Sequence, residues 1–122
     1  MASATTLAAP WSATYTVGNT PTSWAANQAQ SYSVTLTNNG NQTWLAGGGS
    51  PVHLGVHFIA NGGWVTDQRF TLPNDVLPGQ NVTLTISVTA PGGSGSITVE
   101  YEMVKETQFW FAQVSDVAVT VA

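Results

Sequence analysis

Residues 80–90, QNVTLTISVTA, decide the fold. Val82, Leu84, Ile86 and Val88 alternate with Asn81, Thr83, Thr85 and Ser87. A period of two puts the apolar side chains on one face of an extended strand and the hydroxyls on the other. A strand with one dry and one wet face belongs to an antiparallel sheet that packs on its core from one side. The pattern recurs upstream in residues 30–38 (QSYSVTLTN), where Tyr32, Val34 and Leu36 form the apolar row. It recurs downstream in residues 96–103 (SITVEYEM), with Ile97, Val99, Tyr101 and Met103. Weaker strand patterns at residues 12–17, 52–59, 65–72 and 108–119 bring the number to about seven. Asn38-Asn39-Gly40-Asn41, Asn61-Gly62-Gly63, residues 73–79 (PNDVLPG) and Pro91-Gly92-Gly93 supply turns between them. Such turns at roughly ten-residue intervals are the spacing of a β-sandwich. No window carries sustained apolar i, i+3, i+4 spacing, so almost no helix is expected. The expected fold is all-β: a single Ig-like or fibronectin-III-like antiparallel β-sandwich over residues 11–122. Residues 1–10 (MASATTLAAP) have the composition of an interdomain linker or added tail.

Composition supports one domain and excludes several functions. Charged residues are 7% of the chain, against a usual ~25%. Their place is taken by neutral polar residues: Thr, Ser, Asn and Gln together make 42 of the 122. Thr suits this role, because its β-branch favours strands and its hydroxyl tolerates water. With only 2 Lys and Arg the chain cannot neutralise a phosphate backbone or an anionic lipid surface, so neither nucleic acid nor membrane is an expected partner. No apolar run approaches the ~20 residues of a membrane span. The start of the chain lacks the basic and apolar regions of a signal peptide. Zero Cys excludes disulfides, thiol nucleophiles and Cys-ligated metal, and no cofactor is expected. An extracellular or cell-surface location, as part of a larger secreted protein, is expected.

Catalytic constellations are thin. Glu100 and Glu102 share one face of one strand, but neighbouring positions on a strand do not flank a cleft, so they are expected to form a solvated polar face. His53 and His57 also share a face, about 13 Å apart at ~3.3 Å per residue, too far for one metal ion. They are expected to be hydrogen-bonded surface or edge residues. There is no G-x-S-x-G elbow, and Asn74-Asp75 is too sparse for calcium. No enzymatic activity and no metal are expected.

Aromatic residues are the remaining candidates, 5 of them Trp. Tyr32 and Tyr101 fall in phase with aliphatic faces and are expected in the core, and Trp44 is expected to be structural. In Phe109-Trp110-Phe111, alternation sends Trp110 to the face opposite its neighbours. Trp24 and Trp64 follow turn-rich stretches. Trp24, Trp64 and Trp110 are therefore the candidate binding residues, either as a hot spot for a protein or as a stacking strip for a neutral polysaccharide. Arg69 is expected to stack on an aromatic ring or pair with an acid. Sheets with so few charges leave their edges weakly defended against strand pairing, so self-association is a further expectation.

Residues 32–44 (YSVTLTNNGNQTW) resemble the N-x-G-x-x-x-W signature of the NBR1-type Ig-like domain, also called the four-tryptophan domain. Residues 72–79 (LPNDVLPG), 82–91 (VTLTISVTAP) and 95–103 (GSITVEYEM) resemble its Pro-Gly turn, the strand that follows and its closing strand. The resemblance implies a seven-stranded sandwich and a non-catalytic module. In eukaryotic receptors that domain docks protein partners. Similar bacterial domains occur in cell-surface proteins and beside sugar-processing enzymes. Trp44 matches the first signature Trp, and Trp110 corresponds to a later one. Tyr101 stands where the closing strand would carry a Trp, and the KETQFWF segment is closer to the bacterial branch.

Overall fold

A computed structural model describes residues 10–122. The expected linker at residues 1–10 lies, apart from Pro10, outside the described residues. Eight strands follow in chain order: β1 (Ala13–Thr16), β2 (Ser23–Trp24), β3 (Ala29–Asn38), β4 (Val52–Ala60), β5 (Gly63–Thr71), β6 (Asn81–Thr89), β7 (Gly95–Lys105) and β8 (Phe109–Val121). No helix occurs among the described residues. The sandwich is the expected one, with one strand more than the period-two pattern reveals.

The smaller sheet has the order β1-β3-β6 and the larger β2-β8-β7-β4-β5. In β6 burial alternates strictly along the strand, every apolar side chain inward. Its partner β3 matches it residue for residue, from Ala29 opposite Thr89 to Thr37 opposite Asn81. The outer face of this pair is a field of hydroxyls, of which Thr35 and Thr83 bond to one another at 2.8 Å. Between the sheets lie Val34, Leu36, Leu54, Val56, Phe58, Val99 and Met103, all with at most 1% exposure. Phe111 and Trp44 close one end edge to face, centroids 5.8 Å apart. Trp44 is held there by reciprocal backbone bonds with Val76.

Tyr32 and Tyr101 are core residues, as alternation requires, and they join the two sheets. Tyr32 Oη and Tyr101 Oη are 2.7 Å apart, and Tyr101 Oη lies 2.7 Å from Thr20 Oγ1. Thr20 Oγ1 donates to the Val17 carbonyl at 2.6 Å, which completes a buried hydroxyl chain. Burial raises the Tyr101 hydroxyl above its ordinary pKa.

β2 departs from the sequence expectation. Ser23 and Trp24 pair in parallel with Thr120 and Val121 of β8, so the apparently irregular stretch is an edge strand. Trp24 is thereby turned into the core at 2% exposure, edge-on to Tyr32 and to Phe58. Its indole N–H donates to the Pro21 carbonyl at 2.7 Å. Trp24 is therefore not available to a ligand, which corrects its place among the candidate binding residues.

Candidate functional site

The outer face of the larger sheet collects nearly all of the chain's charge. Register places His57 between Asp67 on β5 and Glu100 on β7, and Gly55 between Arg69 and Glu102. Glu100 in turn faces Asp116 on β8. Glu106, just past β7, reaches the same face through Arg69 and His53. Among the described residues only Asp75 and Lys105 carry charge elsewhere. A face expected to be plainly solvated is instead a packed polar cluster.

His57 is its centre. It is fully buried, not a surface or edge residue, because β4 is an inner strand and aromatic rings cover it. Its Nδ1 lies 3.0 Å from Glu100 Oε1 and its Nε2 3.1 Å from Asp67 Oδ1. Trp64 lies flat on the imidazole, centroids 3.5 Å apart and planes 11° apart, and Trp110 meets it edge-on at 5.1 Å. His53, on the same face as expected, bonds to Glu106 at 2.8 Å and shares no partner with His57.

Two irregularities assemble the aromatic cover. Trp64 and Asp67 stand three positions apart, so strict alternation would send them to opposite faces. The register shift between Phe58 and Ile59 pairs Phe58 with Thr66 and Ile59 with Trp64, leaving Val65 as the extra residue. That bulge returns Trp64 to the face of Asp67 and His57. In β8 a second shift leaves Glu102 opposite Val114 but Val104 opposite Trp110. Tyr15, from the other sheet, fills this break: its hydroxyl accepts the Met103 N–H at 2.7 Å and donates to the Gln113 carbonyl at 2.9 Å. Trp110 lies over Gly55, where a Cβ would come within 2.7 Å of its ring. Arg69 stacks on the same indole, Cζ 4.5 Å from the centroid, as its expected aromatic role required.

Of the three candidate tryptophans, the structure thus brings Trp64 and Trp110 together, with centroids 5.0 Å apart, and removes Trp24. Their planes stand at 69°, so they do not form a coplanar strip. Trp64 remains 44% exposed and Trp110 is partly buried. Val114, opposite Glu102 on β8, adds exposed apolar surface to the same face.

The electrostatics divide the carboxylates. Burial works against the ionised Asp67, but Arg69 and then His57 outweigh it and hold its pKa below the ordinary value. Glu102 has no such partner: burial, and then Glu100, push its carboxyl up to about 7. Asp116 is raised for the same two reasons, in the same order. His57, Glu100 and Glu102 offer one imidazole nitrogen and two carboxylate oxygens that all lie within 4.8 Å of one another. This set escapes a strand-by-strand reading, because its members come from β4 and β7 and meet only once those strands are in register.

A depression of about 490 Å³ lies away from this cluster, lined by Thr22, Ser23, Thr98, Thr120 and their neighbours. It offers hydroxyls and no charge.

No protein-family model matches the chain, and no curated protein matches its sequence. Solved structures do match in fold. The CARDB domain of PF1109 from Pyrococcus furiosus aligns with a TM-score of 0.56 and 18% identity over 90% of this chain and 94% of that one. A crystal structure of the same domain in complex with di-metal ions aligns with a TM-score of 0.56 at 16% identity. A β-glucosidase from Listeria innocua in complex with glucose aligns with a TM-score of 0.53 and 10% identity, covering 92% of this chain but 16% of the enzyme. At these identities the likeness establishes a shared small β-sandwich fold.

Proposed function

We propose that the chain is a non-catalytic recognition module of an extracellular or cell-surface protein, and that it engages a protein partner with the outer face of its larger sheet. One observation carries this reading: Trp64 is half-exposed yet immobilised, one ring face stacked on buried His57 and the other open to solvent. An anchor already held in its bound geometry loses little conformational freedom on association. Trp and Arg dominate protein-binding hot spots, and Trp64, Trp110 and Arg69 are contiguous here, with Val114 exposed on the same face. The sequence resemblance to NBR1-type domains points the same way, as does the occurrence of a similar fold as a minor part of a longer β-glucosidase chain. The partner is a second protein or another copy of this domain.

A neutral polysaccharide is the second reading. It is favoured by one feature, the open face of Trp64 with carboxylates alongside. The 69° angle between Trp64 and Trp110 leaves it one stacking ring in place of a strip.

The test places a photoreactive residue at position 114 and exposes the domain to the surface fraction of its source cells. Protein adducts competed by the wild-type domain but not by Trp64→Ala support the reading. Adducts formed only from position 85, on the smaller sheet, overturn it. A glycan array showing binding that Trp64→Ala abolishes would replace the protein by a sugar, and light scattering at high concentration identifies a second copy as the partner.

A further inference from the structure

We propose that His57, Glu100 and Glu102 form a binding site for a divalent transition-metal ion such as Zn²⁺ or Mn²⁺. The proposal concerns the floor of the outer face and does not rest on the recognition reading. The donor atoms, one from each residue, lie within 4.8 Å of one another. Atoms that share one ion at ~2.0–2.2 Å must lie within about twice that distance of each other, so small side-chain adjustments close the shell.

The buried imidazole supplies a second, separate observation. A neutral imidazole has one donor and one acceptor nitrogen. His57 is fully buried, yet both of its nitrogens face carboxylate oxygens, at 3.0 Å and 3.1 Å. Asp67, anchored by Arg69 at 3.0 Å, faces Nε2 and is placed to accept a proton from it. In the neutral ring with its proton on Nε2, the Nδ1 lone pair faces the lone pairs of Glu100 inside the protein. A cation between them converts the conflict into coordination. A histidine that ligates through one nitrogen and donates from the other to a carboxylate is the usual support for a bound metal. Here Asp67 provides that support.

Glu102 completes the set. It makes no hydrogen bond or ion pair within the described structure, and its charged neighbour is Glu100, of like sign. Arg69, the cation on this face, is occupied by Asp67 and Glu106. One imidazole and two carboxylates suit Zn²⁺ or Mn²⁺ better than Ca²⁺, which takes oxygen ligands in larger number. Trp64 and Trp110 shield the imidazole side of the site. Glu102 is partly exposed, so water or a partner's side chain could reach the ion from that side.

The test is calorimetric titration of the EDTA-treated chain with ZnCl₂ and with MnCl₂, alongside Glu102→Gln, His57→Gln and, as a control far from the site, Asp75→Asn. One ion per chain is expected, with affinity reduced about tenfold or more in Glu102→Gln and unchanged in Asp75→Asn. Glu102 has no structural partner, so its variant keeps the test valid even where His57→Gln fails to fold. Mn²⁺ should broaden the NMR signals of residues 57, 100 and 102 first. Zn²⁺ should leave His57 with a proton on Nε2 alone. The proposal is overturned by an absence of binding up to millimolar metal, by equal affinity in Glu102→Gln, by broadening centred on His53, or by a His57 ring that stays protonated on both nitrogens in excess Zn²⁺.

Discussion

Trp64 lies on His57 with ring centroids 3.5 Å apart and planes 11° apart, and this single contact gives the outer face of the larger sheet its dry floor. Trp64 comes from an edge strand and His57 from an inner one, so the indole acts as a lid that keeps water from the imidazole. Trp64→Ala should cost about 1–2 kcal/mol, well below the ~3–5 kcal/mol of removing a fully buried Trp such as Trp44. Urea unfolding of the two variants tests the order. Equal losses would mean that Trp64 is as much a core residue as Trp44.

Gly55 is where the second indole rests. A Cβ there would lie 2.7 Å from Trp110 Cζ3 and 2.9 Å from the Glu102 carbonyl oxygen. The ring can tilt away, but the backbone of β7 cannot move without disturbing the sheet. Gly55→Ala is expected to destabilise by about 1–3 kcal/mol, as overpacking does. It should also alter the near-ultraviolet circular dichroism, because Trp110 must lose its contact with Trp64 or Arg69. An unchanged aromatic spectrum would refute the close approach.

Tyr101→Phe removes the central hydroxyl of the Thr20–Tyr101–Tyr32 chain and leaves the buried Tyr32 hydroxyl without a partner. A cost of about 1–3 kcal/mol is expected. Tyr32→Phe should cost less, since Tyr101 keeps its bond to Thr20. Denaturation midpoints for the two single variants and the double variant decide this. Additive losses would show that the hydroxyls do not act as a chain.

Glu106 provides the pH dependence. Burial opposes its ionisation, but Arg69, at 2.6 and 2.7 Å, and His53 prevail and hold its pKa below the ordinary 4.5. A depressed carboxylate adds stability that is fully present above its unfolded-state pKa and is lost as pH falls through its folded-state value. Glu106→Gln should therefore destabilise at neutral pH by about 0.5–1 kcal/mol. The gap between variant and wild type should close as pH falls below 4.5. A gap that widens in acid would reverse the sign assigned to this group.

Much of this molecule is legible along the chain. Val82, Leu84, Ile86 and Val88 declare their strand and its buried face without reference to any other segment, and Tyr32 and Tyr101 declare theirs in the same way. Alternation separates Trp110 from the face of Phe109 and Phe111 without saying which face is outward, and composition gives Arg69 an aromatic or an acidic partner, of which it has both. Trp24 is illegible, because its burial depends on a two-residue parallel pairing with the far end of the chain. The cluster around His57 is equally hidden. Glu100 and Glu102 look like a wetted strand face until β4 sets His57 opposite Glu100 and a bulge turns Trp64 over it.

The sequence by itself determined a charge-poor, cysteine-free β-sandwich with a Thr-rich exterior, because period-two patterning and turn chemistry are local properties that each segment carries alone. Only the tertiary structure decided that almost all the remaining charge gathers on one face, with a buried histidine beneath two tryptophans. Strand register, bulges and the approach of one ring to Gly55 are relations between segments, and their energies exist only once both partners are in place.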